Sequence, residues 1–222
     1  HRNLGYDTFF LTGLDEHGQK VQQAAAERNV TPQQHCDEMA PQFLELWEEL
    51  HISNDDFIRT TESRHKQIVQ KFLQQVFDKG DIYKDEYKGL YSVSEERFIT
   101  EKEAESGQFH DIKELKEKNY FFKMSDFQDQ LINYIEEHDK FIQPKHRKNE
   151  ILGFLRQPLS DLCISRPKSR LNWGIELPFD EDYVTYVWFD ALINYVTATG
   201  YFTDDSSFKK WWPANYHLIG KD

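Results

Sequence analysis

Thr8-Phe-Phe-Leu-Thr12 is β-rich and almost wholly apolar, and it runs straight into the charged turn Gly13-Leu-Asp-Glu-His-Gly18. A strand apolar on both faces belongs in a covered parallel sheet. Residues 19–28 are helix-forming, so the chain begins as strand, turn and helix, the unit from which α/β folds are built. Thr31-Pro-Gln-Gln34 announces a second helix, with Thr31 as N-cap, Pro32 as first helical residue and Gln34 as reciprocal partner in a capping box. Leu44, Leu46, Trp47 and Leu50 supply its apolar face. A third helix follows Thr60-Thr61, with Ile68, Val69, Phe72, Leu73, Val76 and Phe77 at helical spacing and Gly80 as its stop.

The character then changes. Residues 82–100 hold several Tyr and Phe in short β-like runs, and a polar stretch continues to about Lys118. Asn119-Tyr-Phe-Phe-Lys-Met124 is another strand candidate. Ser125 and Gln128 read as a second capping box, opening a helix to about His138 with Phe127, Leu131 and Ile135 on one face. A further helix is expected over 147–156. After this α+β section the first style returns. Val184-Thr-Tyr-Val187 is strand-like, Trp188-Phe-Asp-Ala-Leu-Ile-Asn-Tyr195 is amphipathic at helical period, and Tyr216-His-Leu-Ile219 reads as a short apolar strand. The plan is α/β, insertion, α/β.

Composition sets limits on function. A net charge of −12 argues against gripping nucleic acid by bulk electrostatics. Local basic patches remain: Lys145-His-Arg-Lys148, read as solvated surface charge, and Arg166-Pro-Lys-Ser-Arg170. No apolar run approaches the roughly 20 residues that span a bilayer, so a soluble protein with no membrane partner is expected. Cys36 and Cys163 are the two cysteines, both among apolar neighbours, which disfavours a disulfide framework or a cysteine metal site. A reducing, cytoplasmic setting is the default expectation.

In doubly wound sheets, ligands bind beyond the carboxyl ends of strands. Asp15, just after the first strand, is placed to pair with a substrate ammonium, or else to cap the following helix. Lys221 and Asp222 follow the last strand candidate: the lysine suits phosphate oxygens, the aspartate ribose hydroxyls. His17 fits no compact metal-ligand spacing with His35, His51, His65 or His110, and reads as a structural or solvent-facing histidine. Trp188, Ala191, Leu192 and Tyr195 share one helical face. Such a stripe is usually core; its alternative is the wall of an apolar pocket closing round a flexible thioether.

These segments together resemble the methionyl-tRNA synthetase family. The matching stretches are Phe9-Phe-Leu-Thr-Gly-Leu-Asp-Glu-His-Gly-Gln19, Asp56-Phe-Ile-Arg-Thr-Thr61, Gly89-Leu-Tyr-Ser-Val-Ser-Glu-Glu-Arg-Phe98, Tyr120-Phe-Phe-Lys-Met124, Asp161-Leu-Cys-Ile-Ser-Arg-Pro-Lys168, Tyr186-Val-Trp-Phe-Asp-Ala191 and His217-Leu-Ile-Gly-Lys-Asp222. They occur in family order along essentially the whole chain. The resemblance implies a class I Rossmann-like catalytic domain, partial here (residues 1–60 and 186–222), split by a connective-peptide insertion (61–185). It also implies a methionine–tRNA ligase that uses ATP, with Mg2+, to form methionyl-adenylate and then charges tRNA(Met). At matching positions, Asp15 would hold the methionine ammonium, and Trp188, Ala191, Leu192 and Tyr195 would surround the side chain. Arg166 and Lys221 would stabilise the transition-state phosphates, and Glu176 and Asp222 would contact the adenosine ribose. Leu192 stands where some members have proline.

Two departures qualify the resemblance. Zinc-binding members carry Cys-x-x-Cys where this chain has Ser92-Val-Ser-Glu95, and serine is not a zinc ligand, so no zinc is expected. The family's His-x-Gly-His and Lys-Met-Ser-Lys-Ser signatures would fall before His1 and after Asp222. The chain is therefore expected to be an internal fragment, inactive alone, of a protein for which a monomer is favoured. Two other readings stay open: an isolated connective-peptide module that binds tRNA or serves as scaffold, and a class I synthetase for another apolar amino acid.

Overall fold

A computed structural model describes residues 1–92, 97–99, 101–109 and 111–220. The chain folds as two compact units: His1–Gln75 together with Arg166–Asp222, and Val76–Ser165 between them. The second unit lies within the segment read as the insertion.

The first unit begins with β1 (Leu11–Leu14), α1 (Gln19–Glu27), α2 (Pro32–Glu49), β2 (Asp56–Arg59) and α3 (Ser63–Asp78). β1 and β2 are parallel, in the register Leu11↔Asp56 to Leu14↔Arg59. Gly13 sits opposite Ile58, and a Cβ on it would lie 2.1 Å from the Ile58 carbonyl oxygen. Only glycine lets the two backbones approach so closely. The strand starts three residues later than its apolar run suggested. At Phe10 the Asp55 carboxylate takes the amide proton (2.7 Å) and the Asp55 amide bonds the carbonyl oxygen (2.8 Å). β1 is also half-buried rather than covered on both faces, because β2 is its one neighbour among the described residues.

The Thr31 capping box forms as expected: Thr31 Oγ1 accepts from the Gln34 amide (3.2 Å), and Gln34 Oε1 accepts from the Thr31 amide (3.0 Å). The expected apolar face of α2 does not become core. Cys36 and Ala40 are buried, while Leu44, Leu46 and Leu50 are exposed. The small side chains face inward because they let the helix sit close to its neighbours. α3 buries His65, Ile68, Val69 and Leu73, and extends to Asp78, two residues before the Gly80 stop, where φ is +81°.

In the second unit, β3 (Ile82–Ser92), β4 (Arg97–Ile99), α4 (Glu101–Glu105), β5 (Ile112–Phe122), α5 (Gln128–Glu137), α6 (Lys145–Leu155) and β6 (Leu162–Cys163) follow in order. The sheet order is β4-β3-β5-β6, with every described pairing antiparallel. β5 runs seven residues further back than Asn119, through the polar stretch. There, charge replaces apolar alternation: Lys88–Glu114 (2.7 Å) and Lys116–Glu86 (3.1 Å) bridge the two strands. Ile135, Leu152 and Leu155 form a small core between α5 and α6.

The second capping box does not form. Ser125 Oγ donates to Asp161 Oδ1 (2.6 Å), and the Gln128 amide group is spent on the Leu155 and Gln157 carbonyls (2.6 and 2.9 Å). Both residues tie the start of α5 to the end of α6 and the chain just beyond it, and a 3-10 turn at Met124–Phe127 precedes the helix.

The chain then contributes β7 (Ser165–Pro167), β8 (Glu176–Leu177), β9 (Asp180–Thr185), α7 (Val187–Ala198) and α8 (Asp205–Trp211), with strand order β7-β9-β8. Tyr216-His-Leu-Ile219 is not a strand: Leu218 and Ile219 are 89% and 80% exposed. A strand exists only through inter-strand hydrogen bonds, and no described segment pairs with this one. No helix among the described residues is long and apolar enough to cross a membrane.

Candidate functional site

A pocket opens in the first unit at the carboxyl ends of the two parallel strands. β1 supplies Leu11 to Leu14 and then Asp15, β2 supplies Ile58 and then Thr60, and α7 closes the side with Asn194 and Tyr195. This is where an α/β sheet presents ligand-binding groups. Asp15 is solvent-reached through the pocket mouth, and no donor among the described residues is bonded to its carboxylate. The surrounding protein removes enough water to push its pKa above the ordinary carboxylate value. The nearby Asp190 carboxylate pushes the same way, and His65 and His17 oppose it. A carboxylate in that state gains more from a cation than one already satisfied.

The next residue behaves oppositely. Glu16 is buried, and its Oε1 accepts from Arg59 Nε (2.7 Å) while Thr61 Oγ1 donates to Oε2. Its backbone amide donates to Thr60 Oγ1 (2.9 Å), and its carbonyl oxygen accepts from Trp173 Nε1 (2.5 Å). These bonds pin the β1–α1 turn, so that the side chain one residue earlier faces the pocket.

His17, the third residue of the turn, is buried and shares its Nδ1 with Asp190 Oδ2 at 2.9 Å, inside the fold. Asp190 is fully buried on α7 and turns its other oxygen toward His65 Nε2 on α3, 3.5 Å away. His65 Nδ1 lies 3.2 Å from Thr197 Oγ1, again on α7. This buried cluster was not legible as a site. Its members, His17, His65 and Asp190, are too far apart in the chain for spacing to join them.

The other expected site residues are placed as follows. Ala191 is buried, while Trp188, Leu192 and Tyr195 are 49%, 58% and 39% exposed. Apart from Ala191, the α7 stripe is therefore an open face, not core. The inward face of the helix carries Asp190, Ile193 and Thr197 together with Ala191. Tyr195 alone of the stripe lines the pocket with Asp15. Its ring meets His217 edge-on at 5.0 Å. Arg166 is buried in β7, with its guanidinium stacked over the Tyr186 ring at 4.7 Å. Glu176 is exposed and paired with Lys168 (2.6 Å). Lys221 and Asp222 lie outside the described residues, as does Val93-Ser-Glu95 of the zinc-knuckle position. Thr12, Thr60 and Asn194 line the pocket without having been singled out. Position after a strand was the available signal for Thr60, and the i−1 neighbour of Tyr195 for Asn194.

The chain is 50% identical over its full length to a methionine–tRNA ligase of Clostridium perfringens, covering 35% of that protein. It is 46% identical to the Bacillus subtilis methionine–tRNA ligase, covering 36%. The chain thus spans about a third of the length of these relatives. Among solved structures, it matches Mycobacterium tuberculosis methionyl-tRNA synthetase bound by methionyl-adenylate with a TM-score of 0.89 at 38% identity, over 96% of this chain and 44% of that one. That likeness gives the Rossmann-like α/β fold that the resemblance implies. The family model described as tRNA synthetases class I (M) matches residues 1–109 and 105–222, so the chain belongs to that family.

Proposed function

We propose that this chain carries the amino-acid pocket of a methionine–tRNA ligase, working together with segments of its relatives that lie outside the matched third. The carrying observation is the Asp15 carboxylate, unpartnered among the described residues and opposite Tyr195 at the end of a parallel strand. In this reading Asp15 receives the methionine ammonium, and the open face of α7, with Trp188, Leu192 and Tyr195 and with Ala191 behind them, takes the thioether. The methionine carboxylate oxygen attacks the α-phosphorus of ATP; the bond to pyrophosphate breaks, and methionyl-adenylate forms. The tRNA(Met) 3′ end then takes the methionyl group and releases AMP.

Arg166 and Lys221 supply positive charge to the phosphates, and Glu176 and Asp222 receive the ribose. Chemistry of this kind rests on positioning and fixed charge. The stack of Arg166 on Tyr186 holds one such charge rigid. Mg2+ enters with ATP. Residues 61–185 form the connective insertion, the protein is a cytoplasmic monomer, and Ser92 in place of a cysteine thiolate leaves the knuckle without zinc.

Methionine-dependent exchange of pyrophosphate into ATP by the full-length protein tests the reading. Exchange should be lost on Asp15→Ala or Arg166→Ala, and the 222-residue chain alone should show little. Exchange supported by leucine or isoleucine but not methionine would overturn the substrate. One stoichiometric zinc per purified chain would overturn the metal-free knuckle.

A further inference from the structure

Three elements of the first unit meet at a single buried carboxylate. Asp190 on α7 is bonded through Oδ2 to His17 of the β1–α1 turn (2.9 Å), and through Oδ1 it faces His65 of α3 (3.5 Å). All three side chains are 0–1% exposed. Thr197 Oγ1 donates its proton to the Ile193 carbonyl (3.1 Å), so toward His65 it offers a lone pair, and His65 Nδ1 is the donor. The imidazole of His65 is thus anchored to α7 at Nδ1, while its Nε2 faces Asp190 Oδ1 at 3.5 Å without a hydrogen bond. Burying a charged group costs free energy unless it is paired. A plain apolar contact would join these elements more cheaply, and the directional bond from His17 to Asp190 fixes the spacing of the β1–α1 turn and α7.

The two elements that Asp190 links are those that form opposite sides of the pocket. His17 is two residues from Asp15, and Asp190 is five residues from Tyr195 on the same helix. We propose that Asp190, acting through His17, is a positioning residue that sets the distance between the Asp15 carboxylate and the α7 wall. It thereby sets the length of amino-acid side chain that the pocket accepts. The proposal rests on the methionine-pocket reading above. Its electrostatic corollary is already present: Asp190 raises, and the two histidines lower, the proton affinity of Asp15.

The test uses the full-length protein and amino-acid-dependent pyrophosphate exchange with methionine, its one-methylene-longer homologue ethionine and its one-methylene-shorter homologue S-methylcysteine. One methylene in an apolar pocket is worth roughly 10–200-fold in kcat/KM, so that is the discrimination available to be lost. His17→Leu removes the donor to Asp190. It should raise the methionine KM by about tenfold with the ATP KM unchanged, and reduce the preference for methionine over ethionine by about tenfold. His17→Asn keeps an N–H near the Nδ1 position and should restore most of both. Asp190→Leu, which leaves no acceptor for His17, serves as a second route should His17→Leu fail to fold, with the same expected loss of length discrimination.

Unchanged discrimination in a folded His17→Leu or Asp190→Leu protein would overturn the proposal. So would equal KM rises for methionine and ATP, or a His17→Asn protein as impaired as His17→Leu. Failure of the unmodified protein to use methionine would instead strike the functional reading. The strut would then be tested with whichever amino acid supports exchange.

Discussion

Replacing two adjacent acids, Asp15 and Glu16, should move stability in opposite directions. Glu16→Gln removes the charge that faces Arg59 Nε at 2.7 Å in a buried position. Breaking one side of a buried ion pair costs about 3–5 kcal/mol. Here the loss is smaller, because Arg59 keeps Asp37 (2.7 Å), is 23% exposed on its side chain, and can still be met by the amide oxygen. About 2 kcal/mol remains, and Glu16→Ala, which also strips the partner from Thr61, should cost about 3 kcal/mol. Asp15→Asn acts the other way. Its folded pKa is raised above 3.8, so the folded state binds the proton more tightly than the unfolded state. Stability is then lost as pH rises from 3.8 through the folded value, and an uncharged amide removes that loss at neutral pH.

Urea unfolding followed by tryptophan fluorescence reads the right unit, since all five tryptophans (47, 173, 188, 211 and 212) lie in the unit containing both acids. With a slope of about 2 kcal/mol per molar, Glu16→Gln should lower the midpoint by about 1 M. Asp15→Asn should leave it unchanged or raise it. A Glu16→Gln midpoint within about 0.2 M of the parent, or an Asp15→Asn protein weakened as much as Glu16→Gln, would refute the division of labour.

Asp161 is held below the ordinary value of 3.8: burial pushes it up, but hydrogen bonds from Ser125 and Tyr83 outweigh this. Its contribution of about 1 kcal/mol to the second unit is present above pH 3.8 and lost as pH falls through the folded value. Asp161→Asn should flatten that acid limb in unfolding followed by tyrosine circular dichroism. If Asp15 receives the methionine ammonium as proposed, the methionine KM of the full-length protein should climb on acidification at a pH above 3.8, because the ion pair needs Asp15 ionised; Asp15→Asn should abolish that rise along with tight binding. Gly13→Ala would drive a methyl against the Ile58 carbonyl at 2.1 Å and should destabilise the first unit by about 2 kcal/mol in the same fluorescence assay.

What was legible in the sequence follows from the range of the interactions involved. The Thr31 box is satisfied within four residues, so its pattern predicts its structure. Ser125 and Gln128 carry the same pattern, but Asp161, 36 residues on, offers Ser125 a better partner. The early half of β5 is hidden because cross-strand ion pairs do the work that alternating apolar residues do elsewhere. Asp15 and Tyr195 were found because position after a strand and helical spacing are both local signals. The exposure of the α7 stripe was not, since it depends on which face of the helix the buried Asp190 pulls inward.

The bond between His17 and Asp190 joins residues 173 positions apart, and most of the intervening chain folds into a unit of its own. During synthesis at about 5–20 residues per second, the turn carrying Asp15 waits some 10–35 seconds for α7 to emerge. The contiguous unit, by contrast, can close on itself as soon as it leaves the ribosome. Through that interval, the first parallel strand and its turn have no partner for His17 and depend on chaperoning or on speed. Slow codons anywhere between His17 and Asp190 would lengthen that exposure, and those within the contiguous unit would also give its hairpin time to pair.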